Sequence, residues 1–215
     1  MPDLDFAVES VTVLDGSLTP VLSFGLHISD ADGDDVDSVV LSCQIMIDAV
    51  RRPYAAREQE ALLDLFGVPQ RWGTTLKSML WTHAGMTVPA FSGETVVTLG
   101  VPATFDLSVA STKYFFALED GEVPLTFQFS GTVFYRDPEG FLTIDRIAWT
   151  KEARFLLPVA VWRELIEHHY PDGAWLCLRR DVFDRLYRYK AQRGVATWEE
   201  VLSSLLESST AGAAP

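Results

Sequence analysis

Cysteine is scarce in this chain: Cys43 and Cys177 are the only two in 215 residues. They lie far apart and in no metal-ligand spacing, which leaves a disulfide framework or an all-thiolate metal site without support. Positive charge is also short. Seventeen Lys and Arg face thirty Asp and Glu, for a formal net charge of −13. Phosphate backbones and anionic membrane surfaces repel such a chain, so nucleic-acid binding through a general basic surface is excluded. No run of about 18 apolar residues occurs, so no membrane span is expected. The start, M-P-D-L-D-F, is acidic where a secretory leader would be basic, and a cytoplasmic protein is expected. P-loop, G-x-G-x-x-G, C-x-x-C and G-x-S-x-G motifs are all missing. F-S-G occurs twice, at 91–93 and 129–131, and the second copy sits inside a strand pattern. With no nucleophile–base pair visible, catalysis is not the expected role, and no cofactor is expected.

The charge that is present is uneven. Residues 1–150 carry 21 acids and 8 bases, whereas 151–193 carry 6 acids and 9 bases. The densest cluster is I-S-D-A-D-G-D-D-V-D-S-V, residues 28–39, with Asp30, Asp32, Asp34, Asp35 and Asp37 around one glycine. Alternate aspartates can supply several of the six to eight oxygen ligands calcium takes. The helix–loop–helix calcium pattern is nevertheless not met. Glycine follows the second aspartate, the position wanting glutamate holds no acid, and the flanks read as strands. A solvated acidic hairpin loop is the preferred reading, with a metal site at these five aspartates as the alternative.

Period-two patterning runs through the first two-thirds. Leu22, Phe24, Leu26 and Ile28 share one face, as do Val39, Leu41, Cys43, Ile45 and Ile47, and each set predicts a strand. Leu125, Phe127, Phe129, Val133 and Tyr135 predict a longer one. D-P-E-G at 137–140 predicts a turn, and residues 141–149 the returning strand. Residues 94–118 suit two further strands. Pro53 and A-A-R-E-Q-E-A-L-L-D-L-F predict one inserted helix stopped by Gly67 and Pro69. Residues 70–90 fit a short helical turn followed by a strand from Trp81 to Val88.

From residue 157 the period becomes helical. Pro158 opens one helix and Pro171 ends it. A second spans about 178–193, with Asp181–Arg185 and Asp184–Arg188 at supporting i, i+4 spacing. Thr197 and Glu200 form a capping-box signature before a third. His168 and His169 close the first of these helices, where a histidine cation suits the helix dipole. His27 and His83 have no partner evident in the sequence. The class predicted is α+β: a mainly antiparallel β-sheet, sandwich-like or strongly curved, with one inserted helix and three C-terminal helices packed on it. Residues 1–207 are expected to form one domain, β-rich over 1–150 and helical over 151–207, with a disordered tail at 208–215.

Aromatics are plentiful, with six Trp, six Tyr and thirteen Phe. Phe134 faces opposite Phe127, Phe129 and Tyr135 on its strand. A strand apolar on both faces is either covered on both or is an interaction surface; cover by helices is the expectation.

The series I-A-W-T-K-E-A-R-F-L-L-P-V-A-V-W-R-E-L-I-E-H-H-Y-P-D-G-A-W-L-C-L, with F-D-R-L-Y-R-Y-K-A-Q-R-G-V-A-T-W-E-E-V-L after it, resembles an uncharacterised bacterial family of about this length. D-L-F-G-V-P-Q-R-W-G-T-T-L, T-V-P-A-F-S-G and F-S-G-T-V-F-Y are similar to it as well. The resemblance implies an accessory role linked to uptake nickel–iron hydrogenases, with a hydrogenase component as partner, and assigns no catalytic residue. The residues expected to meet a protein partner are Trp162, Arg163, Trp175 and Arg179, with a homo-oligomer also open. The alternative is a carrier for a small apolar or lipid-like ligand. A metal-dependent module or an enzyme ranks lower.

Overall fold

The structure is a computed structural model that describes residues 2–31, 33–104, 109–171, 173, 176 and 178–211. The chain divides into two compact units, residues 1–173 and 174–215. In the first unit the strands are β1 (Leu4–Val13), β2 (Val21–Asp30), β3 (Asp35–Ile47), β4 (Met79–Val88), β5 (Phe91–Ser92), β6 (Glu94–Pro102), β7 (Glu122–Arg136), β8 (Leu142–Arg146) and β9 (Glu152–Pro158). Its helices are α1 (Ala56–Ala61), α2 (Leu63–Phe66), α3 (Trp72–Thr75), α4 (Val109–Ala117) and α5 (Val159–His169). The second unit holds α6 (Arg180–Arg193) and α7 (Trp198–Ala211). The class is α+β with antiparallel pairing throughout. No helix among the described residues is long and apolar enough to cross a membrane.

Two sheets form a sandwich. One has the order β1-β2-β6; the other runs β4-β3-β7-β8, with β5 on β3 and β9 on β7. The alternation seen in the sequence supplies the two inner faces. Leu22, Phe24, Leu26 and Ile28 are fully buried on β2, and Val39, Cys43, Ile45 and Ile47 on β3. Aromatic rings bridge the layers. Phe24 meets Phe127 and Phe155 edge-on at 5.1 and 5.7 Å, and Phe6 stacks on Phe129 at 4.3 Å. These contacts fill the interior with side chains, and each buried phenyl contributes about 1.5–3 kcal/mol of apolar transfer.

Backbone approach sets where β3 and β7 cross closely. Gly131 sits at φ +150°, and a Cβ there would lie 2.1 Å from the Val40 carbonyl oxygen. The D-P-E-G turn forms as its chemistry dictates: Gly140 takes φ +87°, and its N–H donates to the Asp137 carbonyl at 2.9 Å.

Helix α5 buries Val159, Trp162, Leu165 and Ile166 and packs against β1, β2 and β9. Trp162 stacks on Phe115 of α4 at 5.2 Å, and Phe115 meets Trp81 of β4 at 5.0 Å. In the second unit Phe183 and Tyr187 of α6 meet Trp198 of α7. Thr197 Oγ1 accepts from the Glu200 N–H at 3.3 Å, as the capping signature predicts.

Four local expectations change. The aspartate-rich link is not a hairpin, because β2 and β3 belong to different sheets; the link crosses from one layer to the other. Alternation marks a strand's apolar face but carries no information about which sheet receives it. Among the described residues of 94–118 there is one strand and then α4, since Y-F-F at 114–116 is a short apolar run, and such runs fit either period. The inserted helix begins at Ala56 and breaks at Leu62, giving α1 and α2. Within the first unit, the face of β7 that carries Phe134 is only partly buried among the described residues.

Candidate interaction surface

Strand β8 has inverted polarity. Its register with β7 pairs Ile144 with Phe134, Leu142 with Arg136 and Arg146 with Thr132, all on the outer face. The inner-face partners are Asp145 with Val133 and Thr143 with Tyr135. Both aliphatic side chains of this strand, Leu142 and Ile144, therefore point outward with Arg146 beside them, while Thr143 and Asp145 point inward, the reverse of β2, β3 and β7. Leu142 is 58% exposed and Ile144 60%, and Phe141, just before the strand, is 70% exposed. Val40 joins the patch from β3, where it pairs with Thr132, and is itself half exposed. Phe134 is partly buried between these neighbours.

β8 also ends its sheet, pairing with β7 alone among the described residues. The Asp137 N–H donates to the Phe141 carbonyl at 3.0 Å, and the Ile147 N–H to the Gly131 carbonyl at 3.1 Å. An antiparallel ladder alternates bonded and non-bonded pairs, so Thr143 and Asp145 also turn their backbone groups toward β7. The N–H and C=O groups of Leu142 and Ile144 then face the open edge. The Arg146 N–H is held by the Asp145 carboxylate at 2.7 Å. The Arg146 guanidinium is exposed and has no ion pair among the described residues, whereas Arg136 pairs with Asp37 at 3.4 Å.

Beside this patch the aspartate link meets the β7–β8 turn. Asp34, Asp35, Asp37, Asp137, Phe91, Tyr135 and Arg136 line an open groove of about 650 Å³. Asp30 is buried and structural: its two carboxylate oxygens accept the N–H groups of Asp3 and Asp34 at 2.7 and 2.8 Å. Asp32 lies outside the described residues. Among the described residues no three His, Cys, Asp or Glu side chains are grouped to hold a metal ion.

The sequence-predicted partner residues fall in different settings. Trp162 is 4% exposed and belongs to the core. The Arg163 guanidinium donates to the Leu118 carbonyl at 2.5 Å, closing the end of α4. Both border a shallow groove of about 430 Å³ with Phe116, Glu164 and Glu167. Arg179 belongs to the second unit, is exposed, and pairs with Asp181 at 3.3 Å. Trp175 lies outside the described residues.

Titratable groups add two facts. Burial pushes the Cys43 thiol up to about 12, which keeps it a thiol and unreactive. Burial also raises the Glu58 carboxyl, but the Arg52 guanidinium at 2.9 Å and the backbone N–H groups of Glu119 and Ala55 outweigh it and hold it below the usual range. Arg52 further donates to the carbonyls of Glu122 and Asp120, so this buried pair ties α1 to the start of β7. It is a fastening inside the fold. Sequence reasoning missed it because its members are 6 to 70 residues apart; it also passed over Leu142 and Ile144, whose outward phase against Phe134 was readable once the turn fixed the register.

A family of unknown function (DUF6084) matches residues 1–214. No curated protein matches. Among solved structures, the CARDB domain of a Pyrococcus furiosus protein, in complex with di-metal ions, is similar at 14% identity over 73% of this chain and 92% of that one, with a TM-score of 0.28. A β-glucosidase from Paenibacillus barengoltzii is similar at 12% identity over 93% of this chain and 23% of that one, with a TM-score of 0.29.

Proposed function

The chain belongs to this family of unknown function, and we propose that it is a non-catalytic protein-binding module whose contact surface is the outer face around β8. The observation that carries the reading is the inverted polarity of β8, with Leu142 and Ile144 more than half exposed beside Phe134. Contiguous apolar side chains on an open sheet face lose nothing by being covered and gain about 25 cal/mol per Å² when a partner removes them from water. A hydrogenase component is the partner that the sequence resemblance implies. A carrier role would need room between the sheets, where Phe6, Phe24, Phe127, Phe129 and Phe155 already pack.

The test is photo-crosslinking in the native host. A benzophenone amino acid replaces Ile144 in one strain and Val96, exposed on the outer face of the other sheet, in a second. The reading expects an adduct of one defined mass from position 144 and none from position 96. Adducts from 96 and none from 144 would end it.

A further inference from the structure

We infer that the partner presents an extended segment that adds to the open edge of β8 as a further antiparallel strand, with an acidic residue opposite Arg146 and apolar residues opposite Ile144 and Leu142. The inference rests on the reading of β8 as the contact surface and names what that surface takes. Three observations lead to it. The backbone groups of Leu142 and Ile144 face the edge with no ladder beyond them among the described residues, the arrangement that strand addition uses. The side chains of the same residues point to one face, so an added strand gains backbone bonds and apolar contact from the same positions. The Arg146 guanidinium stands exposed beside them without an ion pair among the described residues, in a chain of net charge −13.

Charge decides between a foreign strand and a second copy. A two-fold antiparallel pairing must keep each residue opposite one on its own face, so only alternate registers are allowed. Centred on Ile144, that pairing sets Leu142 against Arg146 and leaves the guanidinium without a carboxylate. Centred on Asp145, it sets two aspartates against each other. Centred on Thr143, it pairs Leu142 with Ile144 but sets Arg146 against Gly140 at the turn. None of the three registers gives the guanidinium a carboxylate, whereas a strand reading Glu-Lys-Ile-Thr-Val from its N-terminus places Glu at Arg146, Lys at Asp145, Ile at Ile144 and Val at Leu142. In the unbound chain the Asp145 carboxylate holds the Arg146 N–H. This is a polar plug that blunts the edge against indiscriminate pairing, and Lys on the arriving strand draws it away.

The experiment uses the full chain and two synthetic peptides built on that five-residue core, one with Glu and one with Lys at the first position. Hydrogen exchange of the Leu142 and Ile144 amides is read alongside binding. The inference expects the Glu peptide to slow exchange at both amides and to bind about three- to fivefold tighter than the Lys peptide, as one exposed ion pair allows. Arg146→Glu should reverse that preference, and N-methylation of the peptide's central residue should lower binding about tenfold. Binding without amide protection would overturn strand addition while leaving the contact surface in place. No binding at millimolar peptide, with the crosslink at position 144 intact, would also overturn only this inference; loss of both would overturn the surface reading with it. A concentration-dependent dimer that protects the same amides would show a second copy on the edge and refute the foreign strand.

Discussion

Replacing Glu58 by Gln should cost this protein about 3 kcal/mol of stability, although no apolar atom is removed. The Arg52 and Glu58 side chains are 6% and 4% exposed and meet at 2.9 Å. Removing one partner of a buried pair leaves the other as an uncompensated charge, at about 3–5 kcal/mol. Gln keeps an oxygen for the Ala55 N–H and so retains the start of α1. Glu58→Ala loses that cap as well and should cost about 1 kcal/mol more. The double change Arg52→Met with Glu58→Leu removes both charges but also the backbone bonds they make to Ala55, Glu119, Asp120 and Glu122, and should cost about 1–3 kcal/mol, less than Glu58→Ala. Urea unfolding at pH 7 gives all three values. The pH arm fixes the sign. The folded Glu58 carboxyl titrates below its unfolded value, so its contribution is present above the unfolded value and fades as pH falls through the folded one. The gap between parent and Glu58→Gln must therefore close in acid. A loss under about 1 kcal/mol at pH 7, or a gap that widens in acid, would refute the reasoning.

Phe127→Ala, at a fully buried ring, should destabilise by about 3–5 kcal/mol, while Ile144→Asp should stay within about 0.5 kcal/mol because its side chain already faces water; urea midpoints separate the two. Gly131→Ala should lower stability by about 1–3 kcal/mol, since its Cβ would sit 2.1 Å from the Val40 oxygen, and thermal melting reads the loss. Cys43 should resist alkylation at pH 8 in the folded chain and react once urea unfolds it, because burial holds its thiol near 12; peptide mapping follows the site.

Much of the architecture is legible in local pattern. Leu22 to Ile28 and Val39 to Ile47 alternate because each strand has one dry face, and the structure buries those residues. Pro158, Gly194 and Thr197 mark helix ends by backbone chemistry that acts within a turn. What pattern cannot carry is pairing at a distance. The link at 28–39 reads as a hairpin because strands that follow each other usually pair, yet here it changes sheets. Phe115 and Tyr114 sit in a run that fits either period, and only their contacts with Trp162, Trp81 and Tyr54 fix it as helix. The candidate surface was half visible. Phe134 stands out as the wrong-phase aromatic on β7, but its meaning depends on β8, whose register follows from the turn at 137–140.

The measurement that bears most directly on β8 as a docking surface is the affinity of the protein captured at position 144 for the Ile144→Asp chain and for a Val96→Asp control, with both variants first shown to unfold at the parent's urea midpoint. The account predicts at least about tenfold weaker binding for Ile144→Asp and none lost for Val96→Asp. Equal affinity for Ile144→Asp and the parent would contradict it.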